Sequence, residues 1–202
     1  MRDNLDLNLW QSSTLFCGVD EVGRGALAGP VVAAAVVLPP NARLDGADDS
    51  KRVTPLRRIK LEAQIKQLAL TWAISGADHR YIEKHNIANA AFHAMRMAVK
   101  QLSPRPTLVL ADGFEIPRIG IPCRGIIHGD TLSLSIACAS IIAKVFRDRL
   151  MIRMARRYPG YGLDRHKGYG TAAHLRALEE FGPSPIHRRT FAPVRAVAAA
   201  PR

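Results

Sequence analysis

The stretch TLFCGVDEVGRGALAGPVVAAAVVL, residues 14–38, decides the fold class. Two apolar runs, 14–19 and 31–38, flank a glycine-rich turn. Short apolar runs that are bounded by turn residues are typical of buried strands. The first run leads directly into two adjacent acids, Asp20 and Glu21. The stretch therefore predicts two buried strands joined through a turn, with carboxylates where the first strand ends.

The rest of the chain continues as an alternation of strands and helices. Further apolar runs predict strands at 71–77, 107–111 and 124–127. Capping residues and apolar residues at helical spacing predict helices from residue 54 onward and over 86–102, 131–157 and 171–181. A basic, glycine-rich loop, PGYGLDRHKGYGT, lies between the last two helices. This order predicts one α/β domain over residues 1–202, with frayed ends at 1–13 and 196–202.

Charge is the most unusual property of the composition. The 202 residues include 29 Lys and Arg against 17 Asp and Glu, a formal net charge of +12. Residues 141–202 hold 13 basic and 4 acidic side chains, a net charge of +9. A basic half favours a polyanionic partner such as nucleic acid, because each neutralised phosphate releases counterions. The alternative is a basic surface that serves solubility alone.

Several classes of protein are excluded or disfavoured. The longest apolar run, 31–38, is far shorter than the roughly 20 residues of a membrane span, so we expect no contact with a membrane. The N-terminal residues carry acids where a signal peptide would be apolar. Three cysteines without a CxxC pair favour a reducing compartment and exclude a zinc knuckle. We therefore expect a cytoplasmic protein.

Carboxylates at the ends of predicted strands are the main chemical signal. Asp20 and Glu21 end the first strand, Asp112 ends the strand TLVLAD, and Asp130 precedes the long helix. Strand ends on one edge of an α/β sheet converge on a common crevice. Carboxylates gathered there repel one another unless a hard divalent cation neutralises them, and oxygen ligands suit Mg²⁺ or Mn²⁺. An acidic, metal-holding crevice on a basic protein suits phosphodiester hydrolysis.

Each acid also has a purely structural interpretation. Asp130 could be only a helix N-cap and Asp112 only part of a turn, whereas adjacent buried acids such as Asp20 and Glu21 need a partner. Asp148 lies too far along an unbroken helix to share a metal with Asp130, so we interpret it as an ion-pair partner of neighbouring arginines. The turn itself reads GxGxxxG and begins with acids, which excludes a dinucleotide site.

Six blocks of the sequence resemble bacterial ribonuclease HII. They are GVDEVGRGALAGPV at 18–31, DDSK at 48–51, LADG at 110–113, GD with SIACASIIAKVFRDRLM within 129–151, HKGYGT at 166–171 and HRRTFAPV at 187–194. The blocks are collinear and span residues 14–195, nearly the whole chain. Each block alone is weak, but the six in order are highly specific.

The resemblance implies a fold, a reaction and a substrate. It implies a ribonuclease H-like mixed sheet flanked by helices, with a helical C-terminal part over about 160–195 that contacts the substrate. It implies an endonuclease that uses Mg²⁺ or Mn²⁺, one ion or two, to cut the RNA strand of RNA–DNA hybrids. Such an enzyme also incises DNA 5′ to a single embedded ribonucleotide, leaves 5′-phosphate and 3′-hydroxyl ends, and serves ribonucleotide excision repair. We expect it to act as a monomer.

The resemblance also implies roles for particular residues. The four active-site acids of the family fall on Asp20, Glu21, Asp112 and Asp130; the first three would hold the metal and Asp130 would complete the site. The glycine–arginine–glycine motif that recognises the ribose 2′-hydroxyl falls on residues 23–25, that is on Gly23, Arg24 and Gly25. Glycines there allow close approach of the main chain, and they could equally serve a tight turn.

Further substrate contacts are implied elsewhere in the chain. The junction-sensing tyrosine falls on Tyr169, although Gly170 replaces the proline that usually follows it. Ser50 and Lys51 match a motif that contacts the phosphate backbone. Four more basic side chains are candidate phosphate contacts: His166, Lys167, Arg188 and Arg189.

Two other functional classes remain as alternatives. A nucleic-acid-binding module that kept the fold but lost catalysis would bind a hybrid duplex without cutting it. A different nuclease of the ribonuclease H fold, such as a DNA resolvase, would not need a ribonucleotide in its substrate. Substrate choice therefore separates the three hypotheses.

Overall fold

A computed structural model describes residues 5–46 and 53–199, whose centre is a five-stranded mixed sheet. The strands are β1 (Phe16–Val22), β2 (Val31–Val37), β3 (Thr71–Ala77), β4 (Leu108–Asp112) and β5 (Cys123–Ile126). Their order across the sheet is β3-β2-β1-β4-β5. The pairs β1/β2 and β2/β3 are antiparallel, and β1/β4 and β4/β5 are parallel. All five strands lie where the sequence predicts them, within three residues at their ends.

Eight helices surround the sheet among the described residues. They are α1 (Leu5–Gln11), α2 (Pro55–Leu68), α3 (His79–Lys100), α4 (Gly129–Leu132), α5 (Leu134–Arg157), α6 (Leu163–His166), α7 (Ala172–Phe181) and α8 (Ala192–Ala199). One face of the sheet packs on α3 and the other on α5 and α2. The last three helices pack on the C-terminal half of α5. The predicted class, an α/β mixed sheet flanked by helices with a helical C-terminal part, is confirmed.

Gly18 lets α5 lie directly against β1. A Cβ atom at this position would be 2.1 Å from the carbonyl carbon of Ser135, far inside contact distance. The register places Gly18 two residues before Asp20, on the same face of the strand. Close packing of α5 on β1 therefore brings the side chains of α5 beside the carboxylate end of that strand.

The prediction of frayed ends is wrong for the described parts of both termini. Residues 5–11 form α1, and the buried Asp6 accepts hydrogen bonds from Ser135 N at 2.9 Å and Ser135 Oγ at 2.7 Å. At the other terminus, α8 continues to Ala199 and buries Val194. Both ends are fixed by contacts with distant residues, which local polarity could not reveal.

Two helix predictions also need correction. The helix predicted over 131–157 is two helices, because Ser133 is extended (φ −123°, ψ 126°) between α4 and α5. Helix α3 begins at His79, seven residues before the predicted start, and it is kinked at Asn86. The predicted start has a physical basis, because Asn86 Oδ1 accepts a bond from Asn89 N at 3.0 Å, as an N-cap does. Within the described ranges, we find no helix long and apolar enough to cross a membrane.

Candidate active site

The acids at the ends of β1 and β4 line one cavity. Because the two strands are parallel neighbours, Asp20 and Glu21 on β1 lie beside Asp112 on β4. We call these three residues the acidic edge. The cavity has a volume of about 460 Å³, and its walls also include residues 23–25 and Tyr169. The structure thus brings together three of the four predicted acids, the whole 23–25 turn and the predicted junction tyrosine.

Asp130 is adjacent to the acidic edge but does not line the cavity. It is buried in the first turn of α4. The preceding residue, Gly129, donates its N–H to Asp112 Oδ1 at 2.8 Å, which fixes α4 against the acidic edge. The N-cap of α4 is His128, so the interpretation of Asp130 as an N-cap is wrong. Its predicted part in catalysis stays a prediction.

Burial and mutual repulsion make Asp20 and Glu21 hard to ionise. Burial, and then the negative charge of Glu21, raise the pKa of Asp20 to about 8; a hydrogen bond with Ser140 opposes this, and Asp112 adds to it. Burial also raises the pKa of Glu21, against the effect of Arg24, whose Nη1 donates to Glu21 Oε1 at 3.1 Å. Asp20 therefore retains a proton at neutral pH that a cation could displace.

Three polar side chains of the cavity were not singled out from the sequence: Ser140, Lys144 and Arg58. Ser140 and Lys144 are four residues apart on α5, so they share one helix face. Asp148 continues that face; its Oδ1 lies 2.7 Å from Lys144 Nζ and its Oδ2 lies 3.9 Å from Arg58 Nη1. Asp148 is an ion-pair partner as predicted, but its nearer cation is Lys144 and its arginine is Arg58 of α2, not a neighbour in sequence. The i, i+4, i+8 spacing from residue 140 was the signal that could have found Lys144.

The 23–25 turn is held by two buried arginines. Arg188 donates from Nη2 to the Gly23 carbonyl at 2.7 Å and from Nη1 to the Arg24 carbonyl at 2.8 Å. Arg147 packs under Gly23 (φ +91°), where a Cβ atom would lie 2.1 Å from Arg147 Nε. Gly25 differs, because a Cβ atom there would meet no atom within 4 Å among residues 5–46 and 53–199, its two chain neighbours aside. Gly23 is thus required by the packing of the protein, whereas the space beside Gly25 is open.

Tyr169 reaches the cavity from the loop after α6. The guanidinium carbon of Arg147 lies 5.5 Å from the centre of its ring, a cation–π distance. Its carbonyl oxygen is 3.0 Å from Nδ1 of the buried His174. Gly170, which stands where the resemblance implies a proline, is followed by Thr171, the N-cap of α7. The position of Tyr169 is therefore defined by tertiary contacts although the proline is missing.

The other predicted substrate contacts have mixed outcomes. Ser50 and Lys51 lie outside the described residues. Arg188 is fully buried, so its prediction as a phosphate contact is wrong. Lys167 Nζ donates to the carbonyls of Asp164 and Arg165. His166 contacts the Tyr161 carbonyl at 2.7 Å, and Arg189 is exposed.

The acidic edge offers only oxygen donors, which suits a hard divalent cation. Among residues 5–46 and 53–199, no three His, Cys, Asp or Glu side chains already converge as a metal cage. Mg²⁺ in particular is held by one or two carboxylates and keeps sites for water and substrate phosphate oxygens. The residues present therefore fit an ion whose shell is completed by the substrate.

The sequence and the fold are similar to those of known proteins. Residues 17–194 match the family model described as Ribonuclease HII. The chain is 48% identical over 185 residues to the Ribonuclease HII of Idiomarina loihiensis, covering 92% of this chain and 99% of that one. It has the fold of ribonuclease H2 from Pyrococcus horikoshii, with a TM-score of 0.76 and 24% identity over 91% of this chain and 96% of that one. A crystal structure of Bst-RNase HIII in complex with Mn²⁺ has a similar fold, with a TM-score of 0.65 and 19% identity over 93% of this chain and 71% of that one.

Proposed function

The chain belongs to the ribonuclease HII family, and on this premise we propose that it is an endonuclease that hydrolyses the RNA strand of RNA–DNA hybrids. We propose further that it incises duplex DNA 5′ to a single ribonucleotide and leaves 5′-phosphate and 3′-hydroxyl ends. The observation that carries the proposal is the cavity in which the acidic edge, the 23–25 turn and Tyr169 meet. A role in ribonucleotide excision repair follows from that substrate.

Asp20, Glu21 and Asp112 are the residues that would hold Mg²⁺ or Mn²⁺, with Asp130 completing the site. When bound, such an ion supplies positive charge that stabilises the charge developing on phosphate and leaving oxygens. The high pKa of Asp20 supports this assignment, because a cation replaces the proton that burial otherwise retains. The Mn²⁺ in Bst-RNase HIII, which has the same fold, also supports a divalent ion.

In the proposed reaction, water attacks the phosphorus and the 3′ oxygen leaves. Arg24 holds the Glu21 carboxylate at 3.1 Å, which orients it within the cavity. Lys144 is held 2.7 Å from Asp148 and faces the same cavity, where its charge would attract a phosphate oxygen. The walls thus combine carboxylates for the metal with cations for the polyanion.

Recognition of ribose is assigned to the 23–25 turn and to Tyr169. The space beside Gly25 would admit a ribose close to the main chain, whose polar groups can bond its 2′-hydroxyl. The Tyr169 ring would stack on the adjacent sugar that lacks a 2′-hydroxyl. Both elements line the cavity of the acidic edge, so recognition and hydrolysis would act on neighbouring nucleotides.

The remaining parts of the proposal concern the surroundings of the enzyme. The net charge of +9 over residues 141–202 suits binding of the duplex backbone. All three cysteines are free, which suits a reducing, cytoplasmic environment. We propose that the protein acts as a monomer.

One cleavage assay tests the proposal. Three duplexes of one sequence are incubated with the protein and Mg²⁺ or Mn²⁺: all DNA, DNA with one ribonucleotide, and a full RNA–DNA hybrid. We expect cuts in the hybrid and a single cut 5′ to the lone ribonucleotide. The products should carry 5′-phosphate and 3′-hydroxyl ends, so a ligase should rejoin them without prior phosphorylation of the 5′ end. Binding without cutting would favour the non-catalytic module, and cutting of the all-DNA duplex would favour a DNA nuclease of the same fold.

A further inference from the structure

The loop between α7 and α8 lies against the segment that follows the 23–25 turn. The Arg188 N–H donates to the Leu27 carbonyl at 2.8 Å, and the Gly29 N–H donates to the Ile186 carbonyl at 2.9 Å. The same segment also contacts the Tyr169 loop, because the Leu27 N–H donates to the Gly168 carbonyl at 2.7 Å. Three pieces of main chain from distant parts of the sequence are therefore joined side by side.

Two consecutive side chains of this loop, His187 and Arg188, reach the two elements assigned to ribose recognition. Arg188 extends to the 23–25 turn, where it bonds the carbonyls of Gly23 and Arg24, and its Nε also bonds the Gly29 carbonyl at 3.0 Å. These three bonds fix the guanidinium plane. The planar fork of arginine makes them together, whereas a lysine ammonium could not.

His187 reaches the Tyr169 loop through a second histidine. Ser184 N–H lies 3.0 Å from His187 Nδ1 and can only donate, so His187 carries its proton on Nε2. That proton points to His174 Nε2 at 3.0 Å, and His174 Nδ1–H then donates to the Tyr169 carbonyl at 3.0 Å. One consistent set of neutral tautomers satisfies every bond from the α7–α8 loop to Tyr169.

Burial opposes the charge of Arg188, which suggests that its bonds serve more than stability. Burial, and then the positive charge of Arg147, lower the pKa of Arg188 to about 9. Burial, and then the charge of a protonated His174, lower the pKa of His187 to about 4, which keeps His187 in the neutral form that its bonds require. Apolar residues in such places are often neutral or stabilising, so buried polar groups need another reason to be kept.

We propose that His187 and Arg188 are positioning residues that set the place of the Tyr169 ring and of the 23–25 turn, respectively, in the active-site cavity. This inference rests on the proposed function. It assigns one residue to each recognition element. Arg188 positions the turn that contacts the ribose, and His187 positions the ring that detects the adjoining deoxyribose. The two residues are neighbours in sequence, but their substitution is expected to cause different defects.

The test compares kcat/KM on the single-ribonucleotide duplex and on the full hybrid for Arg188→Lys and His187→Phe. We expect Arg188→Lys to lose on the order of 10²-fold on both duplexes, because ribose contact is common to them and small displacements at a reaction centre have effects of that size. We expect His187→Phe to lose roughly tenfold on the single-ribonucleotide duplex and to change little on the hybrid, which has no junction. Arg195→Lys, at an exposed arginine of α8, is the matched control and should retain both activities.

A merely structural role would lower both activities in parallel with the folded fraction, in both variants. The values of kcat/KM are corrected for the folded fraction of each variant. If the ratio of kcat/KM on the single-ribonucleotide duplex to kcat/KM on the hybrid is then the same in both variants, the inference is overturned. A parent protein that cuts neither duplex would overturn the proposed function instead, which keeps the two failures distinct.

Hydrogen–deuterium exchange provides a readout that does not depend on activity. Arg188→Lys should accelerate exchange in peptides covering 23–29 more than in those covering 167–171, and His187→Phe should do the reverse. If His187→Phe does not fold, Ser184→Ala provides a milder change, since Ser184 Oγ lies 2.7 Å from His187 Nδ1. Equal changes in exchange in both segments, in each variant, would contradict separate roles for His187 and Arg188.

Discussion

At the acidic edge, Asp20 and Asp112 stand at the ends of two neighbouring strands, whereas in the C-terminal part Tyr169 and His187 come from loops between short helices. The first region obtains its geometry from the hydrogen-bonded register of the sheet. The second obtains it from buried arginine and histidine side chains that bond main-chain carbonyls. Regular structure thus places the groups assigned to hydrolysis, and side-chain bonds place those assigned to ribose recognition.

The largest effect is expected when the acidic edge loses a charge. Asp112→Asn keeps an oxygen that can accept the Gly129 N–H bond but removes the charge that would hold the metal. We expect cleavage of the hybrid to fall by about 10³-fold or more, about 4 kcal/mol of transition-state stabilisation. Steady-state cleavage with Mg²⁺ and with Mn²⁺ measures this. Asp45→Asn, at an exposed aspartate, is the control, and near-normal cleavage by Asp112→Asn would refute the assignment.

The high pKa of Asp20 predicts a pH-dependent stability of the metal-free protein. The folded state holds a proton on Asp20 up to about pH 8, while the unfolded chain releases it near pH 3.8, so unfolding takes less free energy as pH rises between these values. Asp20→Asn removes this loss of stability at higher pH. In chemical unfolding in EDTA from pH 5 to 8, the free energy of unfolding of the variant should rise relative to that of the parent by up to about 1.4 kcal/mol per pH unit.

The difference between variant and parent isolates Asp20 from the histidines. His187 has a lowered pKa, so protonation of the unfolded chain makes stability rise with pH from about 4 to 6.5, in the opposite direction. That contribution is common to both proteins. A constant difference across the pH range would mean that Asp20 ionises normally.

Substitution of two glycines distinguishes a glycine that packing within the protein requires from a glycine that leaves space for the substrate. Gly18→Ala would place a methyl group 2.1 Å from main-chain carbon of α5, and we expect a loss of stability of about 1–3 kcal/mol or more. The methyl group of Gly25→Ala meets no atom of the described part of the chain within 4 Å, so stability should change little. Its cleavage of the single-ribonucleotide duplex should nevertheless fall on the order of tenfold, about 1.4 kcal/mol. Thermal unfolding and kcat/KM, measured on both variants, give the comparison; full activity of Gly25→Ala would remove the 23–25 turn from recognition.

The smallest effect is expected for a single exposed cation of the C-terminal part. Arg189 is exposed, so Arg189→Ala should weaken duplex binding only a few-fold, and equally for all-DNA and ribonucleotide-containing duplexes. The slope of log K against log salt concentration should fall by about 0.9, the value for one phosphate contact. An unchanged slope in fluorescence anisotropy would show that Arg189 touches no phosphate.

The sequence is a good guide to the acidic edge because its signals are local. A buried strand that runs into Asp20 and Glu21, and another that ends on Asp112, predict both the sheet and the meeting of the acids. The order of the N-terminal helix α1 was harder to predict, because Asp6 is fixed by Ser135, which is 129 residues away in sequence.

The C-terminal part was less predictable for the same reason. Arg188 looks like a phosphate contact in a basic stretch, yet its bonds reach carbonyls 159 to 165 residues earlier. No local pattern distinguishes a buried arginine of this kind from an exposed one such as Arg189. Likewise, the bonds that link His187 to Tyr169 become visible only when the loops are placed side by side.

The measurement that tests the division between the two regions most directly is the binding preference of the Asp112→Asn protein. Its affinity in Mg²⁺ is compared, by fluorescence anisotropy, for a DNA duplex with one ribonucleotide and for the matching all-DNA duplex. If the 23–25 turn and Tyr169 recognise ribose independently of hydrolysis, the variant will not cut but will still bind the ribonucleotide-containing duplex more tightly. Equal affinity for the two duplexes, in a variant of a parent that does prefer the ribonucleotide, would contradict the account.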